Sequence, residues 1–228
     1  MALRKGVGSP LRVLVWWLRF NQMGTAVIAT LLAWVGLGPY RKIIMKTRGK
    51  GVCADNTEMP QVILRKNWKS HVYVVHRDGR QYVVKRFLGN VKERAKMFVE
   101  VGHLSRLIDT GITPKLLGFD PVGCAIFMEH IEGSTLKENI YSAGALDKAS
   151  SLETYNRVFA QFSNLHQHGV FINDVTLKNI LIEEGGGVRV IDFADSVSVR
   201  SLPRAVRQMF YASDLDRLRH LFSGVKPA

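Results

Sequence analysis

Asp174 and Asn179 stand five residues apart in FINDVTLKNILI (171–182), and apolar residues flank both. An acid and an amide on a short loop between apolar strands suit two jobs. One is a magnesium and proton-transfer site; the other is a plain turn with local side-chain hydrogen bonds. Asp192 follows in VRVIDFADS (188–196), placed either to hold a cation or to cap the next turn. Upstream, Lys85 lies in YVVKRF (82–87), an apolar stretch that buries its stem. Burial disfavours an ammonium, so a lysine there needs a counter-charge. Glu100, fifteen residues later on a helical pattern, can supply it. In this order the set has the parts of phosphoryl transfer. An acid positions a nucleophilic hydroxyl, an amide and a second acid hold magnesium, and a lysine fixed by a helix glutamate cradles the α/β-phosphates.

These groups need elements to position them. Three strands are expected at 62–64, 71–75 and 81–87, the last two joined by a turn with Asp78-Gly79 at its centre. Residues 90–109 repeat apolar positions at 91, 95, 98, 101, 104 and 108, a helical period that ends at Thr110-Gly111. Two further strands surround Asp120-Pro121. A helix over 151–168 ends at Gly169, short strands at 179–183 and 188–192 flank a turn, and a last helix covers 203–222. Strands first and helices later give an α+β, two-lobed plan.

The chain has 228 residues, 46% hydrophobic and 22% charged, with a net charge of +13. That composition is globular rather than disordered. Residues 1–58 hold nine Lys/Arg against two Asp/Glu, so about half the excess charge sits in the first quarter. Residues 20–40 are uncharged, long enough to cross a bilayer, and bordered by Arg19 and by Arg41-Lys42. Basic residues on both flanks favour keeping both ends cytoplasmic, which suits a re-entrant or in-plane segment better than a single span. Residues 11–19, LRVLVWWLR, fit a short interfacial helix; the alternative is a hydrophobic helix packed on the C-terminal domain. Cys53 and Cys124 form no CxxC motif, which argues against a disulfide framework and for a reducing compartment. His166 and His168 have no acid or third ligand beside them in sequence and read as structural or solvated. The basic charge lacks the aromatic interleaving of a nucleic-acid surface, so no nucleic acid is expected.

Over residues 60–222 the ordered set resembles the protein-kinase-like superfamily. VVK (83–85) looks like the strand-three lysine motif, and Glu100 with Leu104 and Leu107 like the small-lobe signature helix. FMEHIEGSTL (127–136) is similar to the hinge, LHQHGVFINDVTLKNILI (165–182) to the catalytic loop, and VIDFADS to the Asp-Phe-Gly segment. The resemblance implies Asp174 and Lys178 as catalytic groups, and Asn179 and Asp192 as magnesium ligands. It further implies Lys85, Glu100, Ser70, Val72 and Glu129 as the ATP-binding set. The departures are specific. Arg65, Asn67 and Ser70 stand where three glycines belong, Ile172-Asn173 replace His-Arg, and Ala194 replaces the glycine after Asp-Phe. The usual arginine partner of an activation-loop phosphate is therefore missing.

The short stretch after Asp192 and the ending DLDRLRHLF (214–222) resemble small bacterial kinases of lipopolysaccharide core sugars, with Rio-type kinases as relatives. The expected fold is a two-lobed kinase-like fold with a truncated large lobe and an N-terminal hydrophobic membrane segment. Its parts are a membrane-associated segment (1–50), a linker (51–60), a small lobe (61–130) and a reduced large lobe (131–228). The expected function is ATP- and magnesium-dependent phosphorylation of a sugar or lipid-linked hydroxyl at the cytoplasmic face of the inner membrane. The alternatives are a small atypical serine/threonine protein kinase and an inactive kinase-like membrane adaptor.

Overall fold

In the computed structural model the described residues are Trp17, Leu18, Asn21 and 61–223, without 67–68, 78, 89–90 and 143–147. They fall into two compact units, one of Asn21 and 61–109 with 114–131 and one of 17–18 with 110–113 and 132–223.

The first unit is built on a five-stranded antiparallel sheet: β1 (Gln61–Lys66), β2 (Ser70–Arg77), β3 (Arg80–Phe87), β4 (Leu116–Asp120) and β5 (Ala125–Glu129). Their order across the sheet is β1-β2-β3-β5-β4, with every pair antiparallel. Register decides which residues share a face. Val72 lies opposite Lys85 and Lys85 opposite Ile126, while Tyr73 lies opposite Val84 and Val84 opposite Phe127. Because side chains alternate along a strand, these two rows face opposite ways. Val84, Ala125 and Phe127 form one small cluster with Tyr73 and Val75. The row carrying Lys85 faces α1 (Val91–Arg106), which buries Met97, Phe98, Val101 and Leu104. Phe98 meets Phe119 of β4 edge-to-face at 5.8 Å.

The second unit holds β6 (Gly133–Thr135), α2 (Leu136–Ser142), α3 (Lys148–Gln167), β7 (Val170–Phe171), β8 (Ile180–Glu183), β9 (Val188–Val190), β10 (Val197–Ser198) and α4 (Arg204–Ser223). Val158, Phe162 and Leu165 of α3 are buried at helical spacing. Tyr155 of α3 meets Phe222 of α4 edge-to-face at 5.2 Å. β6 extends the β8–β9 hairpin, and Gly133 is required there. Its φ is +157°, and a Cβ would come within 2.1 Å of the Ile182 carbonyl oxygen. Thr135 and Glu138 then cap α2 reciprocally. Glu138 Oε2 accepts from the Thr135 amide and hydroxyl, and the Glu138 amide donates to Thr135 Oγ1. These bonds hold the Glu138 carboxyl below its usual range, the Thr135 amide first. The cap is therefore fully made above the ordinary carboxylate pKa and is lost as pH falls through the lower folded value.

The longer elements lie where the sequence places them, with shifted ends, whereas β6, α2, β7 and β10 were not expected. The strand expected to start at Asn179 starts at Ile180, because Leu177–Asn179 form a turn of 3-10 helix. The strand expected to reach Asp192 stops at Val190. Of the expected membrane-associated segment 1–50, only Trp17, Leu18 and Asn21 belong to the described residues, and the rest of the uncharged stretch 20–40 lies outside them. No helix among the described residues is long and apolar enough to cross a membrane. Trp17 and Leu18 are helical. Leu18 is buried with Phe171, Val197, Val199, Phe210 and Tyr211, so this position faces protein, as the packed-helix alternative has it. Trp17 is exposed.

Leu18→Ala removes apolar contact from that cluster and should cost about 2 kcal/mol. Its thermal unfolding midpoint should fall by about 4–8 °C in calorimetry of the full chain. Trp17→Ala, next door but exposed, should change stability by less than about 0.5 kcal/mol.

Candidate active site

Each unit contributes its own part of the predicted set. In the first unit Lys85 Nζ lies 2.7 Å from Glu100 Oε2, and the glutamate side chain is only 1% exposed. A β3 lysine and an α1 glutamate meet because the lysine's row of the sheet is the one covered by the helix. The ammonium also lies 5.1 Å from the centre of the Phe87 ring. Isolated charges at this depth would be strongly disfavoured, and the pairing offsets the burial of each. Val72, directly across from Lys85, shares its face, and Ser70 is buried at the start of β2 opposite Phe87. Glu129 closes β5. Its carboxylate accepts from the Lys115 amide at 3.1 Å, a structural use that sequence reading did not anticipate.

In the second unit the FINDVTLKNILI stretch leaves β7, makes a tight turn, passes through the 3-10 turn and enters β8. The Asp174 amide donates to the Ile172 carbonyl at 2.8 Å, two residues back, which closes a three-residue turn centred on Asn173. Asn173 has a φ of 62°. Such turns are rare and strained for a residue with a side chain, so something must hold the turn closed. Asp174 itself is exposed, as is Lys178, whereas Asn179 is buried. Asn179 Nδ2 donates to the Asp174 main-chain oxygen at 3.1 Å and lies 3.5 Å from its carboxylate. The Asn179 carbonyl accepts from the Ile191 amide at 2.9 Å. One asparagine thus ties the loop of Asp174 to the residue preceding Asp192.

Asp192 is the second non-glycine residue of this unit with a positive φ, 67°. Among the described residues of the unit, the non-glycine residues with positive φ are therefore Asn173, next to one candidate acid, and Asp192, the other. With its Nδ2 committed to Asp174, Asn179 has its amide oxygen left for a ligand. An amide oxygen and a carboxylate are a hard donor set that suits magnesium. Among the described residues no three His, Cys, Asp or Glu cluster in a way that would hold a metal by themselves.

What holds Asn173 is Asp214, on α4. Its carboxylate is fully buried and accepts the Ile172 amide at 2.9 Å and the Asn173 amide at 3.2 Å. His166 Nε2 of α3 lies 3.2 Å from the same carboxylate, and the His166 ring stacks on Tyr211 at 4.2 Å. His166 is thus structural, with an acid as partner after all, brought from 48 residues away. Burial pushes the Tyr211 phenol up, partly offset by Arg207. Sequence reading noted DLDRLRHLF as a segment but assigned Asp214 no role. The available signal was an aspartate in the row of buried positions Phe210, Asp214, Leu218 and Phe222, four residues apart.

A sheet carrying a lysine–glutamate pair beside a helix, and a helical unit carrying an Asp-x4-Asn loop and a following aspartate, are compatible with a kinase-like fold. No family model matches the chain. It is 33% identical over 76 residues to the serine/threonine-protein kinase PrkC of Bacillus subtilis and 30% identical over 96 residues to a probable serine/threonine-protein kinase PknB of Lactococcus lactis. It is 37% identical over 76 residues to a probable serine/threonine-protein kinase of Clostridium perfringens. The matches cover 33%, 39% and 33% of this chain but only 12%, 15% and 11% of those longer proteins. They support the protein-kinase-like class.

Asp214→Asn keeps the side-chain shape but turns an NH2 toward a main-chain N–H, leaving a buried donor without an acceptor. It should lower stability by about 1–3 kcal/mol in urea unfolding. Amide exchange at Ile172 and Asn173 should accelerate; unchanged protection there would refute the anchoring role.

Proposed function

We propose that this chain is an ATP- and magnesium-dependent phosphotransferase with a protein hydroxyl as acceptor. The observation that carries this reading is the buried Lys85–Glu100 pair at 2.7 Å. A buried ion pair contributes little net stability compared with apolar residues of the same volume. A lysine pinned by a helix carboxylate is what a phosphate-holding group requires. In the other unit, exposed Asp174 is free to accept the proton of an acceptor hydroxyl. Asn179 and Asp192 would hold the cation, and Lys178, exposed one residue before Asn179, would offset charge on the transferred group. Bound magnesium would neutralise the phosphate oxygens.

The serine/threonine protein kinases among the relatives favour a protein acceptor over the sugar or lipid-linked one expected from sequence. The basic, apolar N-terminal stretch supports attachment at a cytoplasmic membrane face, through anionic headgroups.

The test is transfer of labelled phosphate from ATP with magnesium, using dephosphorylated casein and lipopolysaccharide core sugar as parallel acceptors. Label should appear on casein or on the chain itself and depend on magnesium. Asp174→Asn and Lys85→Met should each reduce transfer by at least about 100-fold, with folding checked by circular dichroism. Label on the sugar alone would replace the acceptor class. Transfer that persists in both variants would overturn the assignment of the site.

A further inference from the structure

Asp214 does not hold the strained turn alone. One turn later on α4, Arg217 Nη1 donates to the main-chain carbonyl of Asn173. Asp214 and Arg217 are three residues apart and share one face of the helix. The carboxylate takes the Asn173 amide and the guanidinium takes the Asn173 carbonyl, so the residue before Asp174 is gripped on both of its peptide groups by opposite charges. Each charge meets the end of the peptide dipole that it favours.

A guanidinium at this place has a consequence for control. Asn173 occupies the position where the resembling family carries an arginine, so the residue before Asp174 brings no cation to read a phosphate on the segment after Asp192. The cation that braces this loop comes instead from α4, as part of the fold. We propose that Arg217 is a positioning residue. It holds Asn173 in its left-handed conformation, aims Asp174, and makes the loop competent without phosphorylation of that segment. This inference rests on the phosphotransferase reading above, but its first readout does not.

The full chain and its Arg217→Ala and Arg217→Lys variants are compared in two ways. Amide exchange of Asp174, whose N–H closes the turn on Ile172, should quicken about 10-fold or more in Arg217→Ala and stay closer to the parent in Arg217→Lys. Turnover with magnesium ATP and casein should show kcat reduced about 10- to 100-fold in Arg217→Ala, with KM for ATP within about 2-fold. Millimolar guanidinium should restore part of that loss, which a merely misfolded protein would not show. Phosphatase treatment of the parent should leave kcat unchanged.

Unchanged Asp174 exchange and unchanged kcat in Arg217→Ala would overturn the proposal. So would a loss shared equally by kcat and KM with no rescue by guanidinium or lysine. Loss of kcat on phosphatase treatment would overturn its regulatory half. If the parent chain transfers no phosphate, the phosphotransferase reading falls, and the exchange measurement alone still decides whether Arg217 sets the turn.

Discussion

A carboxylate with no access to water must find its hydrogen bonds inside the protein, and the arrangement of the second unit follows from how Asp214 does so. It collects the amides of Ile172 and Asn173 and the ring of His166. Three elements are thereby joined at one buried point: α4 provides the acid, α3 the histidine, and the segment leaving β7 the two amides. The apolar side chains around it, Phe171, Val197, Val199, Phe210 and Tyr211 with Leu18, exclude the water that would otherwise compete for these bonds. The same bonds hold Asn173 in a conformation that it would leave if released, so stability stored in the core is used to orient the next residue, Asp174.

The first unit meets the same requirement with a different device. Lys85 and Glu100 satisfy each other as an ion pair between a strand and a helix, and the alternation of β3 fixes which of its side chains can reach α1. Slipping β3 by one residue would turn Lys85 to the opposite face and take it away from Glu100. The antiparallel pairing of β3 with both β2 and β5 prevents such a slip, because each neighbour imposes its own register. Precision at the lysine is thus a property of the whole sheet.

The long elements were legible because burial leaves a period. Alternation marked β2 and β3, apolar spacing marked α1, and helices were expected over most of α3 and α4. The short pieces were not. β7 and β10 are two residues each and β6 is three, too brief to show a period, and their pairing depends on partners distant in sequence. Among the candidate residues, Lys85, Glu100, Asp174, Asn179 and Asp192 stood out as polar groups in apolar surroundings. Asp214 did not, since an acid in a charged helix resembles an exposed residue until its face is known. Arg217 was hidden for the same reason. The bond of the Glu129 carboxylate to the Lys115 amide, a partner fourteen residues away, was likewise not legible in the sequence.

The sequence by itself determined the α+β order, the main helices and strands, and the identities and order of the chemically able residues, because local period and residue type are written in adjacent positions. Only the tertiary structure decided that Lys85 meets Glu100 and that Asn179 bonds Asp174 while receiving Ile191. It alone revealed that the strained Asn173 is held by Asp214 and Arg217 of the last helix. The reason is physical. Left-handed backbone at a non-glycine residue and a buried charge are both unfavourable on their own, and the groups that offset them lie about 40 residues away. A chain reveals such partners only once it has folded.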